Sequence, residues 1–168
     1  MLQSYYSKKA VVMLDKLLFG ENYPIYKIEE INDKIILHIK SKLHECKCPH
    51  CNEISNSYHS TYKRNIQDTP LHNTETWLCV DIYKYDCLNP KCNCKTFVET
   101  LPFAKCSQVK TDSLLSFILA ISIFLSNSSA SLILSLIGVK VSADTIKNIY
   151  DNIKIIEDKK TRINPVYN

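Results

Sequence analysis

Two short cysteine pairs are the residues best placed to do chemistry in this sequence. Cys48-Pro49-His50-Cys51 and Cys87-Leu88-Asn89-Pro90-Lys91-Cys92 are separated by residues 52–86. Thiolates are soft donors, and four of them surround a tetrahedral Zn²⁺ at about 2.3 Å. Two tight turns that each deliver a pair supply such a set. The expectation is one structural zinc held by Cys48, Cys51, Cys87 and Cys92, with no open position for a reacting water. Asn52 and Asn93 follow the two pairs. Asn tolerates the left-handed backbone that such a knuckle wants just after it. Cys46 and Cys94 flank the pairs and stand as alternative ligands or spare thiols. Cys79, beside Trp77, reads as a small core residue. Cys106 has no evident partner. His50 is expected to face solvent, and His59 either to meet a phosphate or to pack on Tyr62. Redox chemistry at Cys48-Cys51 lacks the βαβ setting it would need.

The rest of the composition agrees with a metal rather than a disulfide framework. Eight cysteines occur in 168 residues, and the first twenty residues form no secretory signal. A cytoplasmic protein is expected. The net charge of +4 permits a nucleic-acid partner without requiring one. Its distribution says more: +2 over residues 1–43, −1 over 44–104 and +3 over 105–168. Four thiolates on one dication make the middle segment more negative still. Any grip on DNA is therefore expected in the C-terminal third. Residues 114–137 are largely apolar, but Ser126-Asn127-Ser128-Ser129 interrupts them. A spanning helix needs roughly 20 mainly apolar residues, so two short helices are expected and no membrane partner.

An α+β fold must position these groups. A helix is expected over 7–19, ended by Gly20, then strands over 25–30 and 34–40 around the turn Asn32-Asp33. Further strands are expected over 57–66, 75–85 and 96–99, where Tyr, Thr, Val and Ile are frequent. Helices follow over 111–125, 129–137 and 143–157, with Gly138 stopping the second and Ser142 capping the third. The expected units are residues 1–43 (helix and hairpin), 44–104 (zinc ribbon), 105–158 (helical) and a tail over 159–168. With only two glycines, Asn is expected to take left-handed turn positions.

The last two helices have the look of a helix-turn-helix, whose second helix reads the major groove with its N-terminal turn. Candidate readers are Ser142, Thr145, Lys147 and Asn148. Asn pairs with adenine and Lys reaches guanine, while Lys140 and Lys154 would meet phosphates. Ile146, Ile149, Tyr150 and Ile153 form the opposite, core-facing stripe. The turn Gly138-Val139-Lys140-Val141-Ser142 is longer than the usual three or four residues, and ordinary helical bundles share these features.

Taken in order, these motifs resemble the N-terminal region of ISL-three-type insertion-sequence transposases. The resemblance runs over about residues 14–155. It is carried by Cys48-Pro49-His50-Cys51, Tyr58-His59-Ser60-Thr61-Tyr62-Lys63-Arg64, Ile66-Gln67-Asp68-Thr69-Pro70, the second cysteine pair, Phe97-Val98-Glu99, Leu101-Pro102 and the run from Ile137 to Thr145. It implies a zinc ribbon and a helix-turn-helix that recognise the terminal inverted repeats of a mobile element on double-stranded DNA. With it, Lys63 and Arg64 join the candidate DNA contacts, and a bacterial, nucleoid-associated location is implied. A homo-oligomeric state is left open. Three departures stand out: Asn52 where the family often has Gly, the extra Cys94, and an end at Asn168, about where a ribonuclease-H-like domain with three acids would begin. Asp151, Glu157 and Asp158 lie on or beside one helix and do not replace that centre. The expectation is a truncated copy without phosphodiester cleavage of its own. A stand-alone zinc-ribbon DNA-binding regulator and a protein-interaction module are the alternatives.

Overall fold

A computed structural model describes residues 16–151. Most of the helix expected over 7–19 lies outside them, as do the end of the last helix with Ile153 and Lys154, and the tail. The described chain is mixed α+β. Its strands are β1 (Ile25–Ile31), β2 (Lys34–Lys40), β3 (Cys46–Lys47), β4 (Ile54–Ser55), β5 (Tyr58–Leu71), β6 (Thr74–Asp86) and β7 (Thr96–Val98). Three helices follow: α1 (Asp112–Ser122), α2 (Asn127–Leu136) and α3 (Ala143–Asp151). Residues 16–19 are helical and end at Gly20, whose φ is +81°.

Two two-residue hairpin turns set the sheet. Asn32 and Asp33 have φ of 51° and 58°, and His72 and Asn73 have φ of 50° and 61°. Two successive left-handed residues make the turn whose twist matches that of the flanking strands. The strand order is β1-β2-β6-β5, with β7 also paired to β6. The β1–β2 and β5–β6 pairs are antiparallel, whereas β2 runs parallel to β6 from Lys34↔Glu75 to Lys40↔Asp81. β7 pairs with the far end of β6, Lys84–Asp86. The front hairpin and the strands that carry the cysteine turns are thus one sheet. β5 runs on to Leu71, past the expected end at 66, because an irregularity between Asp68 and Leu71 absorbs Pro70.

One face of this sheet is dry. Leu37, Ile39, Ile66, Leu78, Val80 and Ile82 pack there against Phe19, Tyr23, Leu101 and Ala104. A second core lies among the helices, where Leu114, Ile118, Ala130, Leu134, Val139, Val141 and Ile146 are buried together. The apolar stretch 114–137 is split between α1 and α2 as expected, and among the described residues no helix is long and apolar enough to cross a membrane. Thr111 caps α1 by accepting from Leu114 N (3.1 Å), and Ser126 caps α2 by accepting from Ser129 N (3.2 Å).

The helical unit is fastened to the sheet at one end. Gln67 N donates to Val109 O, and Thr111 N donates to Gln67 O, both at 2.9 Å. Thr111 Oγ1 also donates to Asp68 Oδ1 (2.6 Å). Gly138 ends α2 with φ +86°, while Gly138 N donates to Ser135 O and Val139 N to Leu134 O, the paired closure that favours glycine. A Cβ at Gly138 would lie 2.6 Å from Asn73 O. The bend before α3 is therefore pressed onto the β5–β6 hairpin turn.

Candidate metal centre

The cysteines meet because β5 and β6 are a long hairpin. β5 leads away from the first cysteine turn and β6 returns to the second, so that Asp86 N donates to Ser57 O (2.9 Å) and Ser55 Oγ to Asp86 O (2.6 Å). The first turn is framed by the small β3–β4 pair, Cys46↔Ser55 and Lys47↔Ile54. Cys48 N donates to Glu53 O and Asn52 N to Cys48 O, which folds the turn tightly. The second turn lies between β6 and β7 and is closed by Cys87 N to Lys95 O (2.8 Å).

The ligand atoms of Cys48, Cys51, Cys87 and Cys92 all lie within 4.8 Å of one another. Cys48 Sγ is 3.9 Å from Cys92 Sγ, and Cys51 Sγ is 3.6 Å from Cys87 Sγ. A tetrahedron with about 2.3 Å metal–sulfur bonds places its sulfurs about 3.8 Å apart. The four thiols therefore fit a zinc ion, and none of them is in a disulfide. The fit names one structural zinc with these four ligands. A four-thiolate shell is closed, so its chemistry is cross-linking and not activation of water.

The electrostatics point the same way. Burial opposes charge on Cys48, but the backbone amides of Cys51 and His50 and the thiols of Cys51 and Cys87 outweigh it and bring the thiol down to about 6. At Cys87 the Asn89 amide favours the thiolate, yet burial and the sulfurs of Cys51, Cys48 and Cys92 outweigh that and push the thiol up to about 12. One thiolate forms readily, and each further one is opposed by those already present. A dication removes that opposition.

Asn52 takes the left-handed backbone as expected, with φ 59°. Asn93 does not, since it is absent from the positive-φ residues. The longer spacer of the second turn is closed otherwise: Lys91 N donates to Asn89 Oδ1 (2.9 Å) and Cys92 N to Asn89 O (3.0 Å). Cys46 and Cys94 are half-buried beside the four sulfurs but outside the group, and Cys94 Sγ faces Thr96 O at 3.3 Å. His50 is exposed, Cys79 is buried in β6, and Cys106 is exposed. His59 Nδ1 lies 3.0 Å from Asp86 Oδ1.

The candidate DNA contacts divide into two groups. Lys63 and Arg64 are neighbours in β5 and project to opposite faces. Lys63 Nζ lies 3.2 Å from Asp81 Oδ1, and Arg64 Nη2 donates to Lys105 O and Gln108 O. Arg64 thus staples the segment leading to α1, a role with no local signal in the residues around it. The other group gathers around α3. Ser142 Oγ accepts from Thr145 N (3.1 Å) and meets Thr145 Oγ1 (2.9 Å). Ser142, Lys147 and Asn148 are exposed, while Ile146 is fully buried. Lys140 Nζ lies 3.6 Å from Glu75 Oε2. Glu75 was not anticipated. Burial opposes its charge, but the Trp77 N–H, Lys34 and Lys140 together hold its carboxyl below the usual range.

Against known families, residues 44–94 match the zinc-finger of transposase IS204/IS1001/IS1096/IS1165. The match takes in both cysteine turns and the hairpin between them, so this segment is similar to a transposase zinc ribbon. No curated protein and no solved structure matches the chain.

Proposed function

We propose that the chain is the DNA-binding N-terminal part of an insertion-sequence transposase, recognising the terminal inverted repeats of its element. The similarity of residues 44–94 to a transposase zinc finger carries this reading. In it, α2, the bend 137–142 and α3 act as a helix-turn-helix with α3 in the major groove. The support is a shared core beneath α3 and a polar outer surface of Ser142, Lys147 and Asn148, with Thr145 beside them. Asn148 and Lys147 would read base edges and Lys140 a phosphate. The ribbon is near neutral and acts mainly as a brace.

The reading assigns no phosphodiester cleavage to this chain. Asp144 and Asp151 share one helix, whereas a two-metal centre needs carboxylates that converge from separate elements.

A gel shift in rising salt tests the proposal, using a duplex of the element's terminal repeat and a shuffled duplex of equal length. The terminal repeat should bind at least about tenfold more tightly, since specific sites usually exceed non-specific ones by far more. Its affinity should also fall steeply with salt. Equal binding of both duplexes would contradict repeat recognition. No shift at low salt would favour a protein-interaction role instead.

A further inference from the structure

We propose that the end of the sheet beside α3 is a second DNA contact, a platform for the sugar–phosphate backbone formed by the β5–β6 turn with Lys34 and Lys140. The inference rests on the reading of α3 as the groove-entering helix and extends it to residues outside the helical unit.

Three observations place this surface next to the reading helix. β2 and β6 run parallel in register from Lys34↔Glu75, so the turns Asn32-Asp33 and His72-Asn73 lie side by side at one end of the sheet. Gly138 approaches so closely that a Cβ there would sit 2.6 Å from Asn73 O and 3.1 Å from Glu75 N. The bend it belongs to ends at Ser142, the residue that caps α3. The turn is therefore held a few residues from the helix end that would enter the groove.

The chemistry suits a phosphate. Glu75 is nearly buried and shared by two ammonium groups from different units: Lys34 Nζ at 3.3 Å from Oε1 and Lys140 Nζ at 3.6 Å from Oε2. Trp77 Nε1 donates to the same carboxylate (2.9 Å). Two cations share the buried Glu75 carboxylate, and the exposed Asp33 in the adjoining turn balances the second of them, so what the surface offers a phosphate is the free donors of two ammonium groups and not a net charge. Lys34 and Lys140 remain 38% and 75% exposed, and each ammonium carries three donors, not all spent on Glu75. His72 and Asn73 are exposed beside them, and both types donate hydrogen bonds to phosphate oxygens. Contacts of this kind fix register on the duplex without reading sequence.

The test compares His72→Asn, His72→Asp and Lys34→Gln with the parent protein, each first shown to keep its thermal midpoint. Asn and Asp both tolerate the left-handed turn, so these two variants differ essentially by one negative charge. Binding is measured to the terminal-repeat and shuffled duplexes across a salt series. The expected result is that His72→Asp and Lys34→Gln weaken binding severalfold on both duplexes, while His72→Asn stays near the parent. The slope of log affinity against log salt should shrink by about 0.9 for Lys34→Gln, the value for one lost phosphate contact. Unchanged affinity and slope in both charge variants, with Lys147→Gln still weakening binding, would overturn the platform and leave α3 as the reader. Failure of the parent protein to bind any duplex would overturn both.

Discussion

Arg64 and Lys63 show how neighbouring residues of like charge take different roles. Alternation along β5 sends Lys63 to the open face, where it pairs with Asp81, and Arg64 to the covered one, where it donates to the carbonyls of Lys105 and Gln108. A hydrogen bond to a charged group contributes about 1.5–3 kcal/mol. Arg64→Ala should therefore lower unfolding stability by roughly that amount, measured by urea denaturation. Its DNA affinity, measured well below the midpoint, should stay near that of the parent. A stable variant with much weaker DNA binding would show Arg64 to be a contact residue after all. The four ligands were legible at this scale, because soft donors at short spacing carry their chemistry in the sequence. Arg64 and Glu75 were not, since Lys105 and Gln108 for the first and Lys34 and Lys140 for the second lie more than thirty residues away and only the tertiary fold brings them near.

At the scale of elements, the bend between α2 and α3 depends on a residue without a side chain. Gly138 combines φ +86° with contact to the Asn73 carbonyl. A left-handed non-glycine residue costs on the order of 1–3 kcal/mol, and the added methyl collides with backbone rather than with a flexible side-chain tip. Gly138→Ala should lower the unfolding free energy by at least about 1–3 kcal/mol, read from the denaturation midpoint. A midpoint equal to the parent's would mean that the bend does not press on the hairpin in solution. The first hairpin turn and the cap of the last helix were legible here, because Asn32-Asp33 and Ser142 act locally, whereas the turn at His72-Asn73 was not. The parallel pairing of β2 with β6 was not, because no local residue pattern encodes which distant strand a strand will join. The length of β5 was also hidden, since Pro70 reads as a break until a bulge accommodates it.

For the whole molecule, β6 sets the relation between metal and helices. Glu75 touches the helical unit through Lys140, and Asp86 borders the second cysteine turn. Eleven steps at about 3.3 Å put these points up to about 36 Å apart along the strand. A zinc ion there would therefore support the helical unit at a distance, by fixing the far end of the sheet to which that unit is fastened. Structural zinc in small domains binds with on the order of 10 kcal/mol, comparable to the entire stability of many folds. The cysteine-bearing end is accordingly expected to depend on its metal.

The most direct test is titration of the reduced, metal-free chain with cobalt(II), which takes zinc's place and reports its ligands by colour. The account predicts saturation at one equivalent, with the strong visible bands of a tetrahedral site and thiolate charge transfer, displaced by zinc. Both should vanish in Cys48→Ser and in Cys92→Ser and survive in Cys46→Ser and Cys94→Ser. A chain that binds no cobalt, or binds it with a weak octahedral spectrum that Cys48→Ser leaves unchanged, would contradict the four-cysteine centre and the scaffold built on it.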